Sequence, residues 1–144
     1  MMTSLWVMLE ACAMDIKVAS GVIDRILREA GKAHPLEACG ILLGEGDRIS
    51  NCVATRNVHP APATHFEIDP QALIDAHRAA RKGGPQVIGY YHSHPVGDAR
   101  PSKTDRAMST GDGSIWVIIA GQEIGLSRDD PDGFTEVSYA VVDD

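Results

Sequence analysis

The feature that most restricts the fold of this chain is the shortness of its apolar runs. Ile41-Leu42-Leu43 sits between Gly40 and Gly44, and Ile115–Ala120 is a second compact run within the domain. Segments of this length read as buried strands, because a buried helix needs a longer apolar stretch. Around them lie two stretches with helical spacing. One carries Val22, Ile23, Ile26, Leu27 and Ala30; the other carries Leu73, Ile74, His77 and Ala80 along one face. Short strands interleaved with amphipathic helices predict an α/β layered domain, with a mixed central β-sheet flanked by helices. At 144 residues the chain is long enough for one domain with a core of its own.

Local punctuation sets the expected boundaries. Ile16–Ala19 reads as a short edge strand, and Ser20 as the N-cap of a helix over 21–30 with Gly31 at its C′ position. His34-Pro35 restarts the chain. Glu45-Gly46-Asp47 is turn chemistry, so Ile41–Leu43 and Ile49–Thr55 form a hairpin. Asn57–Thr64, with Pro60 and Pro62, is a loop. Asp69 caps a second helix with Pro70 at its first position, and Gly83-Gly84-Pro85 ends it. Val87–Tyr91 is a strand, His92–Arg100 a loop, and Ser102 starts a third helix. Strands near Ile124–Ser127 and Phe134–Val142 flank a turn at Asp129–Gly133.

Composition narrows the function classes. The net charge is −7, and the 13 Lys and Arg are scattered. A phosphate backbone calls for clustered cations, so nucleic-acid binding is disfavoured. No apolar run approaches the roughly 20 residues of a membrane span, so no membrane association is expected. Cys12, Cys39 and Cys52 are odd in number and lack C-x-x-C spacing. Neither a disulfide framework nor a cysteine zinc site follows, and a cytoplasmic location is expected. Residues 1–13 read as an N-terminal extension from an upstream start, packing Trp6 and Leu9 on the surface, with the domain spanning 14–144. No Lys or Arg precedes the Leu5–Leu9 run and Glu10 interrupts it, which argues against a secretion signal.

The stretch that carries chemistry is Tyr91-His92-Ser93-His94-Pro95, followed by Pro101-Ser102-Lys103-Thr104-Asp105. At the end of an extended strand, residues i and i+2 face the same way, so His92 and His94 form a ready ligand pair. Asp105 falls in the first turn of the next helix and adds a carboxylate. Two His and one Asp leave one position of a tetrahedral ion open, as a catalytic zinc site requires. Each element alone has a plainer reading. An isolated H-x-H is weak, and Ser102-x-x-Asp105 is also a helix-capping pattern. Capping by Ser102 and metal binding by Asp105 are compatible.

Taken together, Glu37, His92, His94, Ser102 and Asp105 resemble the JAMM (MPN-plus) zinc metalloprotease motif. The surroundings match as well: His34-Pro35-Leu36-Glu37-Ala38-Cys39-Gly40 with Leu43-Gly44, and Phe66-Glu67-Ile68-Asp69-Pro70. The resemblance runs from about Ile16 to Val137. It is to the small stand-alone bacterial and archaeal branch, and it implies a single MPN-like (JAB1/MPN, cytidine-deaminase-like) domain. It further implies one Zn2+ per chain on His92, His94 and Asp105, with Glu37 as general acid–base beside the metal-activated water. Ser102 then donates to the oxyanion, or acts only as a cap. The implied activity is hydrolysis of the peptide or isopeptide bond after the C-terminal Gly-Gly of a ubiquitin-like or sulfur-carrier protein. The extended tail would be held along a sheet edge, with the loop Asn57–Ile68 the expected edge.

Other residues read more simply. Cys39 and Cys52 are small core side chains, Phe66 and Trp116 core aromatics, and His59, His65 and His77 surface or packing residues. One of Tyr90 and Tyr91 faces the core by alternation. Two other functions fit parts of the pattern. A non-catalytic MPN scaffold would lack the ligands that this chain keeps. A non-haem iron oxygenase also uses two His and a carboxylate, but needs no upstream Glu. Elemental analysis separates the three by zinc, iron or no metal.

Overall fold

A computed structural model describes residues 15–144. The N-terminal extension, with Trp6, Leu9 and Cys12, lies outside the described residues. The elements run β1 (Ile16–Ala19), α1 (Ser20–Ala33), β2 (Cys39–Glu45), β3 (Arg48–Thr55), α2 (Pro70–Arg81), β4 (Gln86–Ser93), α3 (Lys103–Met108), β5 (Ile115–Ala120), β6 (Glu123–Asp130), β7 (Gly133–Glu136) and β8 (Tyr139–Val142). The strands form one mixed sheet in the order β7-β6-β5-β4-β2-β3-β1-β8. β4 and β5 are parallel, as are β1 with β3 and β1 with β8; the other pairs are antiparallel.

Two-residue alternation divides the core between the faces of the sheet. Leu42, Tyr91 and Val117 face α1, joining Val22, Ile26, Ile49 and Leu126. Cys39, Ile41 and Trp116 face the other way, against Phe66, Ile68 and the Ala72, Leu73 and Ala76 side of α2. Tyr91 is the core-facing tyrosine expected from alternation, and Cys39 and Cys52 are buried free thiols. Among the described residues no helix is long and apolar enough to cross a membrane.

Several boundaries differ from those the sequence suggests. β1 is not an edge strand: it lies between β3 and β8, with Ile16 and Val18 buried. The stretch Phe134–Val142 is two strands, not one. β7 and β8 stand at opposite ends of the strand order, yet only Val137 and Ser138 separate them. The sheet must therefore curl until its two ends approach. Val137 N–H donates to Leu126 O in β6, and Ser138 O accepts from the N–H of Ile16, the first residue of β1.

Helix α1 continues past Gly31, whose φ is ordinary, and ends ahead of Pro35. Its N-terminus is not capped by Ser20. The Asp144 carboxylate accepts from Gly21 N–H at 2.8 Å and from the Ser20 hydroxyl. An anion serves the positive end of a helix better than a neutral hydroxyl does. Asp69 does cap α2, through Gln71 N–H. On α2 the packed side is Ala72-Leu73-Ala76, whereas Ile74 and His77 are exposed.

Candidate metal centre

The predicted loop at His92 begins two residues later than expected. β4 runs through Ser93, and the ladder to β5 continues one step further, because His94 N–H donates to Ile119 O at 2.7 Å. Extended backbone is thus kept from His92 to His94, and both imidazoles leave the sheet on the α2 face. Asp105 comes from α3, where Ser102 and Asp105 form a capping box. Ser102 Oγ accepts from Asp105 N–H at 3.0 Å, and Asp105 Oδ2 accepts from Ser102 N–H at 2.9 Å.

These elements bring His92, His94 and Asp105 together. His92 Nε2 lies 3.1 Å from His94 Nε2 and 3.0 Å from Asp105 Oδ1; His94 Nε2 lies 3.0 Å from Asp105 Oδ2. The hydrogen bonding of His94 suits this cluster to a cation. Asp98 O lies 2.7 Å from His94 Nδ1 and can only accept, so Nδ1 carries a proton. The 3.0 Å contact of Nε2 with the carboxylate then takes a cation between the two atoms, a proton when the ring is charged or a metal ion on the lone pair of the neutral ring. Two imidazole nitrogens and a carboxylate oxygen within reach of one another fit a metal in that place.

The electrostatics follow the same geometry. Burial pushes His92 down from the usual imidazole value, against the pull of Asp105. Burial also acts downward on His94, but hydrogen bonds to Asp105 and to the Asp98 carbonyl outweigh it and raise this ring. Burial alone would raise Asp105; the two imidazoles and the Ser102 N–H instead hold it well below the usual carboxylate range. His92 Nδ1 is buried without a hydrogen-bond partner. Its ring is held by packing instead: Phe66 stacks on it at 4.2 Å and 15°, and Trp116 meets it edge-on at 5.7 Å.

Glu37 precedes β2, and the sheet register carries it to the same end as the ligands. Cys39 pairs with His92, Ser93 N–H donates to Ala38 O, and Ala38 N–H donates to Ser93 Oγ at 2.8 Å. Glu37 is 6% exposed, and its carboxyl is raised from 4.5 to about 7. Burial is the main cause; His94 pulls the value down and Asp105 pushes it up. A carboxyl poised near neutrality can both accept and return a proton.

The five residues singled out in the sequence therefore lie at one end of the sheet. Three further contributions have no signature in the sequence: the Phe66–Trp116 clamp, the Asp98 carbonyl and the Ser93 hydroxyl. His59 and His65 stack on each other at 4.5 Å and are not part of the cluster. The loop Asn57–Ile68 is not a bare edge. Its ends pair with each other, Asn57 with Ile68, and Val58 N–H donates to Glu67 O.

A curled mixed sheet with a His-His-Asp cluster beside a buried glutamate defines a metallohydrolase-type domain. Comparison with known proteins agrees. A family model of prokaryotic homologues of the JAB domain matches residues 19–134. The chain is 31% identical over 133 residues to a desampylase of Haloferax volcanii, covering 88% of this chain and 96% of that one. It is 29% identical over 128 residues to the CysO-cysteine peptidase of Mycobacterium tuberculosis, covering 88% and 82%. A solution structure of a protein from Desulfitobacterium hafniense superposes with a TM-score of 0.77 at 28% identity, covering 89% and 93%. The chain belongs to the prokaryotic JAB-domain family, the small prokaryotic branch of the JAMM/MPN-plus proteins. It is a hydrolase of the JAMM type.

Proposed function

We propose that this protein hydrolyses the peptide or isopeptide bond following the C-terminal Gly-Gly of a ubiquitin-like or sulfur-carrier protein. His92, His94 and Asp105 hold one zinc ion, Glu37 relays the proton and Ser102 stabilises the oxyanion. The observation that carries this reading is the convergence of two imidazole Nε2 atoms and a carboxylate beside a buried glutamate. The names of the two relatives, a desampylase and a CysO-cysteine peptidase, support the substrate class.

Zinc, when bound, supplies a Lewis acid that acidifies a water and polarises the scissile carbonyl. Glu37 takes the proton of the attacking water and returns it to the leaving amine, and a pKa near neutrality suits both transfers. The Asp98 carbonyl orients His94 through Nδ1, and the Phe66 and Trp116 rings hold His92. Ser102 has a hydrogen to give. Its capping bond uses an oxygen lone pair, and no protein acceptor among the described residues takes its hydroxyl proton. The same side chain therefore serves as a cap and as an oxyanion donor. Glycines suit the substrate positions beside the metal because they let the backbone approach closely.

Residues 14–144 form the working unit, with 1–13 an extension, and a chain started at Met14 should retain activity. A reducing cytoplasm fits the buried free thiols Cys39 and Cys52. The test is a carrier protein extended past Gly-Gly by cysteine or another amine, incubated with zinc-loaded enzyme and followed by mass spectrometry. Release after Gly-Gly supports the reading. Intact Gly-Gly adducts alongside efficient cleavage of unrelated unstructured peptides would reduce it to a general metallopeptidase.

A further inference from the structure

We propose that Asn57 is a positioning residue for the reaction, tying the segment that carries Glu37 to the loop that carries Phe66. The inference rests on the assignment of Glu37 as the proton relay. Asn57 follows the end of β3 and is half-buried, and its amide is used on both sides. Nδ2 donates to Glu37 O at 3.0 Å and to His65 O at 2.9 Å, with Pro62 O at 3.4 Å. Oδ1 accepts from His59 N–H and Glu67 N–H, both at 3.1 Å. Carbonyls on one side and N–H groups on the other fix the orientation of the amide.

The consequence reaches both halves of the site. Glu37 N–H donates to Pro62 O at 2.8 Å, so the backbone of Glu37 is held at its N–H and at its C=O by one loop. The Asn57 amide closes that loop, and the next turn of the chain presents Phe66 to His92. A single side chain therefore couples the placement of the proton relay to the packing of a metal ligand whose Nδ1 has no hydrogen-bond partner. Misplacing a catalytic group by about 1 Å typically costs up to about 10²-fold in rate, which makes such a tether kinetically visible.

Asn57→Asp separates the two halves. One carboxylate oxygen still accepts from His59 and Glu67, whereas the other turns a lone pair toward the carbonyls of Glu37 and His65. Asn57→Ala removes both halves and serves as the second variant. The assay is cleavage of the Gly-Gly adduct by zinc-loaded protein, with zinc content, melting temperature and amide exchange measured by NMR. We expect kcat per zinc-loaded molecule about 10–100-fold lower in both variants, with KM within about twofold. Glu37 N–H should exchange at least about tenfold faster, while Val117 N–H in β5 is unchanged. Wild-type kcat per folded, zinc-loaded molecule, or a Glu37 amide that exchanges no faster than in the wild type, would overturn the proposal. If the wild-type enzyme leaves every Gly-Gly adduct intact, the substrate reading fails, and amide exchange then decides the tether on its own.

Discussion

Glu37→Gln should have two opposite effects: it slows turnover by orders of magnitude, and it stabilises the metal-free protein above neutral pH. The side chain is 6% exposed, and burial raises its carboxyl from 4.5 to about 7. Below pH 4.5 both the folded and the unfolded chain keep the proton. Between 4.5 and about 7 the unfolded chain releases it while the folded chain holds it, so stability falls as pH rises. At about 1.4 kcal/mol per pH unit, the interval caps the loss near 3 kcal/mol, and screening by water in the cleft brings the expected figure to about 1–3 kcal/mol. Gln has the same shape and no charge, so it avoids this loss. For a domain of this size that corresponds to a gain of roughly 3–10 °C in Tm at pH 8, shrinking toward zero at pH 4.5. Zinc-free wild type and variant should be melted at both pH values, because every other titrating group is common to the two. In the zinc-loaded variant, cleavage should fall about 10²–10⁴-fold with zinc retained. An equal Tm difference at both pH values would refute the buried-carboxyl argument. Retained cleavage would move the proton relay to another group, and lost zinc would make Glu37 a ligand.

Three other perturbations probe the remaining parts. Ser102→Ala removes a cap and a free hydroxyl together; stability should fall by about 1 kcal/mol and kcat by about 10²–10³ with KM little changed. A stability loss with unchanged kcat would leave Ser102 as a cap only. Asp105→Asn keeps the shape but removes the anion that faces both imidazoles, so elemental analysis should find less than one zinc per chain while the wild type retains it. Gly125→Ala drives a Cβ into the carbonyl oxygen of Ala99, in the loop whose Asp98 carbonyl orients His94. It should cost about 1–3 kcal/mol and weaken zinc binding, read by melting and zinc titration. Gly31→Ala is the control: its Cβ meets nothing within 4 Å, and in a helix it should be neutral or stabilising by up to about 1 kcal/mol.

The local parts of the site are encoded within a few residues of chain. His92 and His94 share a face because strands repeat every two residues, and Asp105 sits in the first turn of α3 because Ser102 caps it. The hairpin, the α2 cap and strand β5 were legible for the same reason, since turn chemistry and periodicity act within a few residues. Glu37 was legible only through the resemblance. Nothing between residues 37 and 92 states that β2 will lie against β4 with Cys39 opposite His92. Tertiary structure alone decided the ends of the sheet, where β1 became an inner strand and one apparent strand split into β7 and β8. Which strands become neighbours depends on how the sheet curls over its core, and periodicity carries no record of that. The same holds for the Phe66 ring on His92 and the Asp98 carbonyl on His94. Both contacts join segments whose separation is set by packing, so only the folded chain brings them into reach.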